Sequence, residues 1–181
     1  TTDAGGDIAF VTPLSASLTP GHFVSATATD PSGNTSEFGL AIAATSSPPA
    51  LDLDADDSSG EGSGNFGTAF TEDAGPVTIA DVDALLTDTD SPDLESLTVT
   101  ITNQLDGTSE ILAADTSGTS ITASYDAGTG VLSLTGTDSV ANYQQVLRTV
   151  TYNNTSQDPD TTVRVIGVMA NDGISNSNRG D

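Results

Sequence analysis

The sequence predicts an all-β protein: an antiparallel two-sheet sandwich with one short helix, preceded by a β-hairpin segment. Three observations carry this expectation. From Phe66 onward, short alternations of apolar and polar residues recur between turn residues, at the spacing of roughly 8–12 residues expected of a sandwich. Thr, Ser, Gly, Asp and Asn dominate, whereas charged helix formers are scarce, which favours short strands joined by polar turns. One stretch, DSVANYQQVLRTV, breaks the period of two and places Val140, Tyr143 and Leu147 at helical spacing.

Taken in order, residues 1–45 hold strand-like pieces. Ile8 and Phe10 alternate with small residues, and HFVSATATD runs through the turn Asp30-Pro31-Ser32-Gly33-Asn34 into SEFGLAIA. Proline presets φ in such a turn, and Gly and Asn tolerate positive φ. This reads as a hairpin preceded by short strands, a partial β segment too poor in large apolar residues to bury a core alone. Residues 46–64, SSPPALDLDADDSSGEGSG, read as an acidic linker, stiffened by Pro48-Pro49 and loosened by its Gly/Ser end. Residues 65–181 form the expected sandwich. Its strands are sought in FGTAFTE, GPVTIAD, ESLTVTITN, TSEILAAD, TSITASYD, GVLSLTG, LRTVTYNN and TTVRVIGVMA. The helix is expected near residues 139–146, capped by Asp138 or Ser139.

Charge and composition exclude several functions. Twenty-six acidic residues face only three basic ones, Arg148, Arg164 and Arg179, for a formal charge of −23. That field argues against nucleic acid as a partner, and it opposes the compact state unless cations or salt offset it. No apolar run approaches the roughly 20 residues that span a bilayer, so no membrane insertion is expected. Cysteine is absent, which removes disulfides and thiolate metal sites. Lysine is absent too, so no lysine–asparagine isopeptide crosslink can form. His22 is the single histidine and sits in a Pro-Gly turn without the context of a triad or zinc site. There is no Trp to build a sugar platform for a carboxylate pair. No enzyme is expected.

The carboxylates cluster in a way that suits calcium, which takes six to eight hard oxygen ligands from separate loops. Candidate clusters are Asp52, Asp54, Asp56 and Asp57 in the linker, Glu72 and Asp73 in TEDAGP, Asp88, Asp90 and Asp93 in DTDSPDLE, and Asp172 in ANDGISNSN. No EF-hand loop is present. Asp158 and Asp160 read as a plain turn; Asp30 and Glu37 flank the hairpin and offer a further place for an ion, with solvated surface as the alternative. The tripeptide Arg179-Gly180-Asp181 reads as a chance match.

The order FTEDAGPV, LLTDTDSPDLESLTVTI and VRVIGVMANDGISNSN resembles that of the acidic motifs in a cadherin repeat, over Phe70 to Asn178. The likeness is to the bacterial cadherin-like and chondroitin-sulfate-proteoglycan-like repeats of large exported proteins, in which LRTVTYNN also has a counterpart. SATATDPSGNTSEFG resembles the final hairpin of bacterial Ig-like or β-helix surface domains. The resemblance implies a Greek-key, cadherin/Ig-like sandwich on the cell surface. It also implies calcium (Ca2+) roles for Glu72, Asp88, Asp90 and Asp172, with Asp54, Asp56 and Asp57 as a between-repeat cluster. The Leu-Asp-Arg-Glu and Asp-x-Asn-Asp motifs of animal cadherins are missing, which leaves the number of ions open.

Two functions follow as expectations. One is a non-catalytic structural or adhesive module of an extracellular bacterial protein, stiffened by calcium. Its partners would be adjacent repeats, neighbouring copies or a cell-surface or matrix ligand. The other is an acidic, salt-adapted scaffold or sheath subunit without specific calcium sites. Because SNSNRGD after Asp172 is too polar for a closing strand, an open sheet edge is expected there. Strands from residues 1–45 of a neighbour could then fill it head to tail, building a filament.

Overall fold

The structure is a computed structural model that describes residues 20–29, 31–36, 39–62 and 64–181. It divides into two units, Thr1–Ser46 and Ser47–Asp181. The first contains β1 (Phe23–Val24) and β2 (Ile42–Ala43), paired antiparallel with Phe23 opposite Ala43. The ladder continues through Gly39 N–H to Ala26 O, Ser36 N–H to Ala28 O and a Thr29–Thr35 bridge. The expected hairpin is therefore present. No described residue of this unit is buried, and Phe23 and Ile42 stay largely exposed, as its small apolar content requires. The strand expected at Ile8 and Phe10, and residues Asp30 and Glu37, lie outside the described residues.

The second unit is all-β with one helix. In chain order it comprises β3 (Ala50–Asp52), β4 (Val77–Thr78), β5 (Leu85–Thr87), β6 (Asp93–Ile101), β7 (Glu110–Ala113), β8 (Thr122–Asp126) and β9 (Val131–Ser139). Then follow α1 (Val140–Leu147), β10 (Thr151–Asn154) and β11 (Ile166–Asn171). One sheet has the order β11-β6-β9-β8 and a second the order β4-β10-β7, with β3-β5 as a separate two-stranded ladder. All pairings are antiparallel.

Alternation explains most of the core. Leu97, Val99 and Ile101 of β6, Leu132 and Leu134 of β9, and Val168 and Ala170 of β11 are buried, while Thr98 and Thr100 face away. Leu94 would fall on the wrong face of a regular strand. Leu94 is nonetheless buried, and beside it the register shifts, with Gly136 and Thr137 of β9 standing against Glu95 of β6 in the two-against-one arrangement of a β-bulge. The second sheet contributes Leu112 and Tyr152, and α1 contributes Tyr143, Val146 and Leu147. Each fully buried aliphatic or aromatic side chain of this kind stabilises by about 1.5–3 kcal/mol.

The helix begins where its chemistry predicts. Ser139 is the N-cap and accepts from Asn142 N–H at 3.2 Å, while Asp138 Oδ1 accepts from Ser139 N–H and Asn142 Nδ2. Just before it, Gly136 has φ 126°, and a Cβ there would meet Ser120 O at 2.8 Å, so only glycine fits. No helix among the described residues is long and apolar enough to cross a membrane.

Four expectations need correction. The stretch 46–64 is not a linker: β3 pairs with β5, and Leu51 and Leu53 are buried, so the sandwich unit starts at Ser47. FGTAFTE forms no strand; Phe66 and Phe70, four residues apart, pack on the core from an irregular segment. In TTVRVIGVMA the strand starts at Ile166. Upstream, Asn103 takes the place of a strand neighbour, accepting from Val165 N–H and donating to Val163 O.

The edge beyond β11 is not open either. Residues 176–180 run antiparallel along it through bridges Asn171–Asn176 and Val168–Gly180. Polar residues serve because backbone groups make the contact, and Asn178 also bonds both N–H and C=O of Leu51. Gly180 is buried against Leu53, and Arg179 lies across Gly167 and pairs with Asp181. The Arg-Gly-Asp tripeptide is thus tied along a sheet edge, and the site expected for head-to-tail strand addition is already filled.

Candidate metal centre

The only group of three or more close carboxylates among the described residues is Asp54, Asp56 and Asp83, each offering an oxygen within 4.8 Å of the others. Two chain segments bring it together. After β3 turns Leu51 and Leu53 inward, the chain folds over itself: Asp57 N–H bonds Asp54 O, and Asp57 takes the left-handed φ of 54° that Asp tolerates. The second segment follows β4. Asp81 N–H bonds Leu53 O, and Asp83 N–H bonds Asp81 Oδ1. Asp83 Oδ1 then accepts from Ala55 N–H at 3.2 Å, which fixes it against the first loop. Arg148 holds the same loop from the helix side through Ala84 O.

The ligand oxygens are unequal. Asp54 is 1 % exposed, and its Oδ1 accepts from Ser58 N–H and Oγ–H, its Oδ2 from Ser59 N–H at 2.7 Å. Asp56 and Asp83 each engage one oxygen, Oδ1, with an amide, leaving Oδ2 for another partner. Hydrogen bonding from the Ser59 side chain, opposed by desolvation and aided by the Ser59 and Ser58 amides and the Ser58 hydroxyl, lowers Asp54 from 3.8 to about 2. No basic side chain answers these acids. Arg164 pairs with Asp106, Glu110 and Asp160, Arg179 with Asp181, and Arg148 is committed to a carbonyl. Three carboxylates from two loops, one of them buried and held ionised, form a hard-oxygen donor set without a countercharge.

The pH dependence of this site follows in sign. A carboxyl whose folded pKa is depressed contributes stability that is present above its unfolded value, near 3.8, and lost as pH falls through about 2. Acid melting of wild type should therefore steepen between those values, and Asp54→Asn should flatten that part of the curve. An unchanged curve in the variant would contradict the assignment.

The other expected ligands are distributed differently. Asp57 shapes the loop but lies outside the group of three. Asp88 and Asp90 sit in the turn entering β6. Asp88 Oδ1 accepts from Asp90 and Ser91 N–H, and both Asp90 oxygens accept from Ser47 N–H. Asp88 Oδ2 is buried with no hydrogen-bond partner, a second place where an oxygen lacks a donor. Asp172 follows β11, whose Asn171 pairs with Ser96 near the start of β6, so it shares the end of the sheet with Asp88 and Asp90. Its Oδ1 accepts from Ile174 and Ser175 N–H. Glu72 does not join them. It borders a cleft lined also by Tyr152 and by Ile166, the first residue of β11, whereas Asp172 follows the last.

Asp83 is the residue the sequence reading missed. Its signal was there: Asp81-Val82-Asp83 repeats the alternate-residue spacing of Asp52-Leu53-Asp54. Comparison with protein-family models, curated proteins and solved structures returned no match.

Proposed function

We propose that the second unit is a non-catalytic, calcium-binding β module of an exported structural or adhesive protein. The convergence of Asp54, Asp56 and Asp83 without a countercharge carries this reading. Calcium bound there would supply the positive charge that the two loops lack and crosslink residues 52–59 to residues 81–83. Asp54 and Asp56 would hold it from one side and Asp83 from the other. Because Leu51 and Leu53 belong to the same segment, the ion would pin the chain where it enters the sandwich, so that tension passes into the core. The buried, partnerless oxygen of Asp88 supports a second cation beside Asp90. The charge of −23, in a chain with no cysteine to staple it, fits a module held together by bound cations and flanked by further repeats.

Melting in calcium, compared with chelator plus sodium at matched ionic strength, tests this against the diffuse-charge scaffold. Calcium at a hundredfold excess over its dissociation constant should stabilise the wild type by about 2.7 kcal/mol. Asp83→Asn should reverse sign between conditions. In chelator it relieves repulsion and raises the melting temperature; in calcium it loses a ligand and falls below wild type. Equal gains from calcium and matched sodium, in both proteins, would favour the scaffold.

A further inference from the structure

A cleft of about 880 Å³ opens on the side of the sandwich bounded by β4, β10 and the start of β11. Its floor is apolar: Phe66, Phe70, Val77, Ile79, Tyr152 and Ile166, with Phe70 and Tyr152 edge-to-face at 5.5 Å. Its lip carries Val163, 80 % exposed, and Val165, 40 % exposed, a pair that no element among the described residues covers. The rim is acidic, with Glu61, Glu72, Asp158, Asp160 and Asp181. Asp160 and Asp181 are paired with Arg164 and Arg179, so the uncompensated charge comes from Glu61, Glu72 and Asp158. The one cation of the floor, Arg164, is neutralised by Asp106 and Glu110.

Alongside runs an unpaired strand edge. Ile79 N–H bonds Val150 O, so by the alternation of an antiparallel ladder Thr78 turns its own N–H and C=O away from β10. Thr78 is exposed, and among the described residues β4 has no strand neighbour on that side. An apolar slot, the outward-facing N–H and C=O of Thr78 beside it and a negative rim together define a ligand. It is a polypeptide in extended form, with apolar side chains on one face and basic ones on the other.

We infer that this cleft binds an extended basic segment of another protein, added as a strand to β4 with an apolar side chain inserted against Phe70 and Tyr152. Charge complementarity selects this occupant. A second copy of the chain brings a further −23 to an acidic rim, and nucleic acids and anionic sugars are repelled by it. This inference rests on the cleft alone and stands apart from the metal centre.

The test uses the full chain and a fluorescein-labelled peptide of alternating valine and lysine. Anisotropy should rise on binding, and the same peptide with glutamate for lysine should give no rise. Glu72→Gln with Asp158→Asn should weaken binding about two- to fivefold for each carboxylate removed, the range expected of rim charges. The exposed Val163→Ser, which cannot disturb the core, should weaken it as well. Asp115→Asn with Asp126→Asn, at residues outside the cleft, should leave it unchanged. Equal loss from that control pair would reduce the effect to net charge and overturn the inference, as would binding of the glutamate peptide. Self-association of the chain without peptide, abolished by Val163→Ser, would make a second copy the occupant and overturn it too.

Discussion

Arg164→Met is expected to destabilise the second unit by about 3–5 kcal/mol, the cost of leaving a buried charge without its partner. Glu110 is fully buried, and its Oε1 meets both Arg164 Nε and the Tyr152 hydroxyl. Its Oε2 accepts from Leu105 and Asp106 N–H. Arg164 also reaches Asp106 at 2.6 Å, which in turn accepts from Asn154 Nδ2 and Asp160 N–H. Desolvation works against the arginine's charge, but the hydrogen bond and charge of Glu110, with Tyr152 and Asp106, outweigh it and raise its pKa. The same environment, burial first and then Glu110, pushes Tyr152 up to about 12. Glu110→Gln should cost less than Arg164→Met, and the double variant less than the sum, because the methionine no longer strands a charge. Urea unfolding of the four proteins measures this. Additive losses, or a cost below about 1 kcal/mol for Arg164→Met, would place the network at the level of a surface ion pair.

Leu53→Ala should cost about 2–5 kcal/mol, the range for emptying a buried leucine site. Leu53 has no exposed surface, accepts Asp81 N–H at its carbonyl, and lies against Gly180. Its loss therefore loosens β3, the metal-centre loops and the segment closing β11 together. A loss of only a few tenths of a kcal/mol would mean that residues 46–64 behave as a linker after all.

These two residues also mark where the sequence was legible and where it was not. Thr98, Val99 and Thr100 announce β6 because one face is buried and the other solvated, and Val140, Tyr143 and Leu147 announce the helix by the same local logic. Leu51 and Leu53 alternate with Asp52 and Asp54, which is also a strand signal, but surrounding acids and a Pro-Pro start make it look like solvated chain. The burial of Asp54 depends on Ser58, Ser59 and Asp81 and has no local signature. The segment closing β11 is held by backbone bonds and by Asn178, so it needs none of the apolar residues a strand search looks for. Arg164 lies 54 residues from Glu110, and nothing near either reveals the other.

For the candidate centre, the sequence named Asp54 and Asp56 correctly as neighbours of one another, through their spacing. It grouped Glu72 with Asp88, Asp90 and Asp172 through motif order, which carries no information about which end of a strand a turn occupies. Asp83 joined the centre only once β3 and β5 were paired, since that pairing brings residue 83 back beside residue 55.

The most direct test of the calcium reading is a crystal structure grown in calcium, with the ion located by anomalous scattering. The account predicts an ion bound by carboxylate oxygens of Asp54, Asp56 and Asp83 at about 2.3–2.6 Å, with backbone oxygens or waters completing six to eight ligands. Millimolar calcium with no ion between these three residues, and their carboxylates turned apart into solvent, would contradict it.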